Sequence, residues 1–158
     1  MMETVVIGLG NVILSDEGVG VHALRSVQET LDGVENLTFI DGGTLGLELL
    51  SVASGADRLL LLDAVDVGAP AGTLARFDRK QLSLLLSGSS AHELGVSDLL
   101  SALKMLGAEP QDIVLIGLQP EQTSLGTELT PAVAQALPGL VSAAVHEIRS
   151  WQMGSSAE

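Results

Sequence analysis

Cysteine and tyrosine are absent from this 158-residue chain, and aromatics make up 2% of it: Phe39, Phe77 and Trp151. Without cysteine there is no disulfide framework, thiolate nucleophile or cysteine-based metal site. With so few aromatics, the core must form from Leu, Val, Ile and Ala. Positive charge is also scarce. Seven basic residues against twenty acidic ones leave a formal net charge of −13. That balance opposes phosphate backbones and anionic membrane surfaces. It would attract a cation or a basic peptide, or serve only solubility. No apolar run approaches the roughly 20 residues needed to cross a bilayer. No basic stretch precedes the first apolar run, which Gly8-Leu9-Gly10-Asn11 ends early, so it does not read as a signal peptide. The expectation is a soluble cytoplasmic protein with neither nucleic acid nor membrane as partner.

Aliphatic residues and glycine are abundant. Hydrophobic residues reach 46% and glycines number 18, a composition suited to βα units with tight turns. The length fits one domain over residues 1–153, with 154–158 as a flexible tail. Thr4 to Leu9 reads as a buried strand, and Gly10 to Ser15 as a loop. Asp16 is placed to cap a helix running to about Leu31, whose Val21, Leu24, Val27 and Leu31 recur at helical spacing. Leu37 to Ile40 is a short strand ending at Asp41-Gly42-Gly43-Thr44, and a short helix covers about Gly46 to Ser54. Arg58 to Val65, with four consecutive leucines, is a fully buried strand. Pro70-Ala71-Gly72 turns the chain into an edge strand, Thr73 to Phe77, and Arg79 to Leu86 forms a short helix. After a small polar loop through His92, a helix carries Val96, Leu99, Leu100, Leu103 and Leu106. Asp112 to Leu118 is another buried strand, followed by a long loop to Leu129. Thr130-Pro131 starts the last helix, which Pro138 should break or kink and which should end near Trp151. Strands alternating with helices give a three-layer α/β/α fold. Its twisted, mostly parallel sheet has five strands, one of them an antiparallel edge.

Ligands of open parallel sheets bind beyond the carboxyl ends of the strands. Here those ends deliver Asp16 and Glu17 after the first strand, Asp41 after the second, and Asp63 with Asp66 after the third. Clustered carboxylates repel one another unless a cation or a proton separates them. Each also has a structural reading: Asp16 as a helix cap, Glu17 as a partner of the helix dipole, Asp41 as a turn former. Asp63 follows four leucines and needs a partner if it is buried. Carboxylates alone suit Mg or Ca, and an added imidazole shifts preference toward Zn, Ni, Fe or Mn. His22 and His146 lie within helices and read as structural, whereas His92 sits in a loop, where function concentrates. No G-x-G-x-x-G, G-x-x-x-x-G-K-[ST], H-E-x-x-H or G-x-S-x-G occurs.

Gly8-Leu9-Gly10-Asn11, Asp16-Glu17-Gly18 and Gly20 resemble the opening of the hydrogenase maturation endopeptidases. Asp41-Gly42-Gly43-Thr44, Asp63-Ala64, His92 and Gly117-Leu118-Gln119-Pro120-Glu121 resemble later blocks of that family, in the family's order. Ala91 and Glu93, around His92, depart from its commonest form. The resemblance implies an endopeptidase that removes a short C-terminal peptide from the large-subunit precursor of a [NiFe] hydrogenase. It places Glu17, Asp63 and His92 at metal-contacting, catalytic positions, and Asp41, Gly42, Gly43 and Thr44 at a substrate-binding element. The implied metal is nickel carried by the precursor. Two carboxylates and an imidazole leave coordination positions open, as catalytic sites require. Two other readings remain: an aspartic-type pair of Asp63 and Glu17 sharing one proton, and a non-proteolytic, flavodoxin-like module that only binds a ligand or the precursor.

Overall fold

The computed structural model describes residues 2–87 and 94–156. Five strands form one sheet: β1 (Thr4–Leu9), β2 (Leu37–Gly43), β3 (Arg58–Ala64), β4 (Leu74–Asp78) and β5 (Asp112–Leu118). Their order is β2-β1-β3-β5-β4, with β4 antiparallel to β5 and every other pair parallel. The helices are α1 (Val19–Thr30), α2 (Leu50–Ala53), α3 (Arg79–Ser87), α4 (Leu94–Met105) and α5 (Pro131–Ser156). The five-stranded sheet with its antiparallel edge matches the expectation from sequence.

Leucine is a modest strand former, yet Leu59–Leu62 are strand residues with no exposed surface. Burial on both faces decides it. Alternation sends Leu60 and Leu62 to the layer of α1 and α5, with Val6, Val27, Leu140 and Ile148. Leu59 and Leu61 go to the layer of α2, α3 and α4, with Leu49, Leu82, Leu99 and Leu103. Each such side chain contributes about 1.5–3 kcal/mol when removed from water.

From β1 the chain passes through α1 to β2 on one side, then through α2 on the opposite face to β3 on the other. The carboxyl ends of β1 and β3 therefore flank the switch point, where an open sheet forms its crevice. Glycines let α1 enter that seam. A Cβ on Gly20 would lie 2.1 Å from the Leu62 carbonyl oxygen and 2.5 Å from that of Leu9. A Cβ on Gly8 would lie 2.7 Å from the Gly20 carbonyl oxygen.

Three expectations need correction. Asp16 does not cap α1: a 3₁₀ turn, Ser15–Gly18, precedes the helix, and Gly18 occupies the cap position without a side-chain bond. β2 continues through Asp41 and Gly42 to Gly43, because β1 pairs with it that far across a bulge at Gly8/Leu9. Pro138 does not break α5, which runs through Ser156. Pro138 and Ala134 are not buried, so water can reach the carbonyl that the proline leaves without a donor. Val133, Leu140, Ala144 and Ile148 bury the opposite face and hold the helix.

Two glycine substitutions should separate these effects in urea denaturation. Gly20→Ala should destabilise the protein by about 2 kcal/mol, because its methyl meets backbone on two sides. Gly139→Ala, with nothing within 4 Å of the added Cβ in α5, should stabilise it by about 0.5–1 kcal/mol.

Candidate active site

The edge formed by the carboxyl ends of β1, β2, β3 and β5 gathers the acidic residues read from sequence. Glu17 sits in the 3₁₀ turn Ser15–Gly18, which packs against β3. Asp63, half-buried, is the penultimate residue of β3, level with Gly117 of β5. Its Oδ1 accepts a 2.8 Å hydrogen bond from the amide of Ala64. The switch-point seam therefore brings the Glu17 turn and the Asp63 strand end to one place. Asp41, level with Gly8, is exposed near the end of β2. The pleat turns it to the α1 side, whereas Asp63 falls on the side of Leu59 and Leu61. Gly42 faces Ile7, Leu9 and Leu49, where a Cβ would come within 2.8–3.1 Å of their side chains. Gly43 takes a φ of 50°, the left-handed region that favours glycine. Thr44 lies just beyond it. His92 lies outside the described residues. Among the described residues, no group of three His, Asp or Glu side chains could hold a metal ion.

Close backbone approaches shape the Glu17 turn. Gly10, at a φ of 114°, brings its α-carbon so near that an added Cβ would overlap the Glu17 carbonyl oxygen at 1.8 Å. Gly18 also lies close on Val12, whose α-carbon would be 2.6 Å from an added Cβ. These contacts account for glycines in the Gly8-Leu9-Gly10 and Gly18-Val19-Gly20 blocks.

On its outer side the turn is tied to the loop after β5, and Asp16 makes the tie. Its side chain is fully buried. Oδ2 accepts from the amides of Glu121 (2.9 Å) and Gln122 (3.0 Å) and from the Thr130 hydroxyl (2.7 Å). Oδ1 accepts from the Thr130 amide at 2.7 Å. Burial alone would push this carboxyl up. The bonds from Thr130, Gln122 and Glu121 outweigh it and hold the group below the ordinary carboxylate value. Ser15 adds a second tie at a φ of 53°: its amide donates to the Gly126 carbonyl and its hydroxyl to that of Ser124. A third clamp comes from Gln119. Its Oε1 accepts from the amides of Val67 and Ala69, and its Nε2 donates to Asp66 and to the Pro120 carbonyl. Gln119 thus fixes the loop after Asp63. Sequence alone gives Asp16 a local role and Gln119 none. Apart from the adjacent Pro120 carbonyl, their partners lie 50 to 114 positions away, beyond any local signal.

The other histidines stand apart from this arrangement. His22, in α1, is partly buried, and its Nε2 has no hydrogen-bond partner among the described residues. Burial, and then the charge of Arg25, lower its pKa and favour the neutral ring. His146 is exposed on α5, in a groove shared with Ser26 and Thr30 of α1.

Adjacent residues should behave oppositely in denaturation. Asp16→Ala leaves four donors without an acceptor and should lose about 3 kcal/mol of stability. Glu17→Gln removes no side-chain hydrogen bond among the described residues and should change stability by less than about 0.5 kcal/mol.

A family model described as hydrogenase maturation protease matches residues 21–147. HupD of Rhizobium leguminosarum bv. viciae, a hydrogenase expression/formation protein, is 34% identical over 155 residues. That match covers 96% of this chain and 77% of HupD. The hydrogenase 2 maturation protease of Escherichia coli K12 is 34% identical over 134 residues, covering 84% of this chain and 82% of its own. Among solved structures, the hydrogenase maturating endopeptidase HybD from E. coli superposes with a TM-score of 0.86 at 29% identity. The superposition spans 94% of this chain and 93% of HybD.

Proposed function

Because the chain belongs to the hydrogenase maturation protease family, we propose that it cleaves a short C-terminal peptide from a nickel-loaded [NiFe]-hydrogenase large-subunit precursor, using Glu17, Asp63 and His92. The observation that carries this reading is the convergence of the Glu17 turn and the Asp63 strand end at the switch point between β1 and β3. An acidic edge on a chain of net charge −13 suits a cation presented by the substrate. With no cysteine in the chain, two carboxylates and one imidazole leave positions for the precursor's own ligands to keep. Nickel in that position belongs to the substrate, and it would polarise the scissile carbonyl and acidify a bound water.

In this reading Glu17 and Asp63 orient the precursor's metal, and one of them takes the proton of the attacking water. His92 completes the contact. Asp41, Gly42 and Gly43 form the end of β2, an edge strand, and Thr44 follows it, so an extended tail can lie beside the sheet there. A site that needs the metal in its substrate acts only on a finished metal centre.

Mass spectrometry of the precursor, before and after incubation with the protein, tests this directly. Loss of a short C-terminal fragment is expected from nickel-loaded precursor and not from nickel-free precursor. Equal cleavage of both would remove the metal from the mechanism. An uncut precursor would leave a binding module. Glu17→Gln, Asp63→Asn and His92→Ala should each slow cleavage by about 100-fold or more. If His92→Ala keeps full rate, a carboxylate pair sharing a proton replaces the metal-contacting set.

A further inference from the structure

The Asp16 clamp does more than the stability of a loop requires. Neither the 3₁₀ turn Ser15–Gly18 nor α1 has a side-chain cap of its own, since Leu14 and Gly18 occupy the cap positions without such bonds. Close glycine contacts, Gly10 with Glu17 and Gly18 with Val12, let the turn sit tightly against the loop after β1. Direction comes from outside, from four hydrogen bonds to the Asp16 carboxylate, one from the Asp16 amide to the Gln122 carbonyl and two from Ser15. Glu17 is the next residue along the same turn. Any rotation of the turn that relieved Asp16 would swing the Glu17 carboxylate.

We infer that Asp16 is a positioning residue for cleavage, which sets the orientation of Glu17 by locking the Ser15–Gly18 turn to the segment Glu121–Thr130. This rests on the carboxylate edge being the seat of cleavage. A carboxylate suits this position because all four of its contacts are donors, so an acceptor-only side chain is required. An amide in its place would turn an N–H toward an N–H. Thr130 gives a gentler handle, because its hydroxyl supplies one of the four bonds.

The test uses the full chain and nickel-loaded precursor, at a temperature where urea titration shows every variant folded. Asp16→Asn should lower kcat by about 10-fold or more while KM changes by less than about 2-fold. Thr130→Val, which lacks the hydroxyl, should lower kcat by about 3-fold or more, and Thr130→Ser, which keeps it, should restore the wild-type rate. Placed on Glu17→Asp, Asp16→Asn should add no further loss, since both act through one carboxylate. Multiplying losses, or a Thr130→Val rate equal to that of Thr130→Ser, would overturn the inference. Should Asp16→Asn not fold, the Thr130 pair decides. If the wild type leaves the precursor uncut, the functional reading fails instead, and amide hydrogen exchange at Glu17 then judges the clamp. Exchange about 10-fold faster in Thr130→Val than in Thr130→Ser supports it, and equal exchange rejects it.

Discussion

A single carboxylate, sealed from solvent and surrounded by four donors, holds the working edge of this protein together. Asp16 joins the turn after β1 to residues 105 to 114 positions further along the chain. In a low-dielectric setting such bonds are strong, and the same setting makes a missing partner expensive. The network is therefore close to all-or-none. It explains how long loops after β1 and β5, built from residues with little propensity of their own, present a fixed surface. Gln119 extends the same logic to the loop after β3. Three of the strand ends around the switch point are thus braced by buried polar side chains rather than by apolar packing.

The two edges of the sheet are built differently. At the amino ends of the strands, Arg58 bonds Asp112 at 3.3 Å and also donates to the carbonyl of Trp151. Asp57 accepts from the amide of Glu3 at 2.7 Å. These contacts join β3 to β5 and to the end of α5. At the carboxyl ends the strands deliver carboxylates, and the loops carry the exposed Ile13, Leu45, Leu47, Val67 and Leu125. Ion pairs and backbone bonds tie the amino edge, while the acidic residues gather at the carboxyl edge, where an open α/β sheet forms its crevice. The Arg76–Glu147 ion pair, 2.6 Å between β4 and α5, closes the free side of the sheet.

The fold is largely legible in the sequence because its signals are local. Buried apolar runs mark β1, β3 and β5, and helical spacing marks α1, α4 and α5. The carboxylates are also legible as strand-end residues, since the edge follows from alternation of strands and helices alone. Legibility fails where residues act at long range. A buried aspartate ahead of a helix looks like a cap, and nothing near Asp16 says that its partners lie beyond residue 120. Pro138 looks like a helix breaker because the pattern does not show that its turn faces water. The glycines read as turn formers are, at Gly8 and Gly20, places where strand and helix backbones meet without room for a Cβ. The placing of Asp41 on one face and Asp63 on the other depends on register, which sequence does not show.

Central to this account is that Glu17 and Asp63 reach a metal ion carried by the substrate. X-ray absorption at the nickel edge, on the precursor alone and on its complex with this protein, tests that most directly. The account predicts added oxygen or nitrogen ligands at nickel in the complex, and fewer of them when Glu17→Gln or Asp63→Asn replaces the wild type. A nickel spectrum identical in free precursor and complex would contradict it.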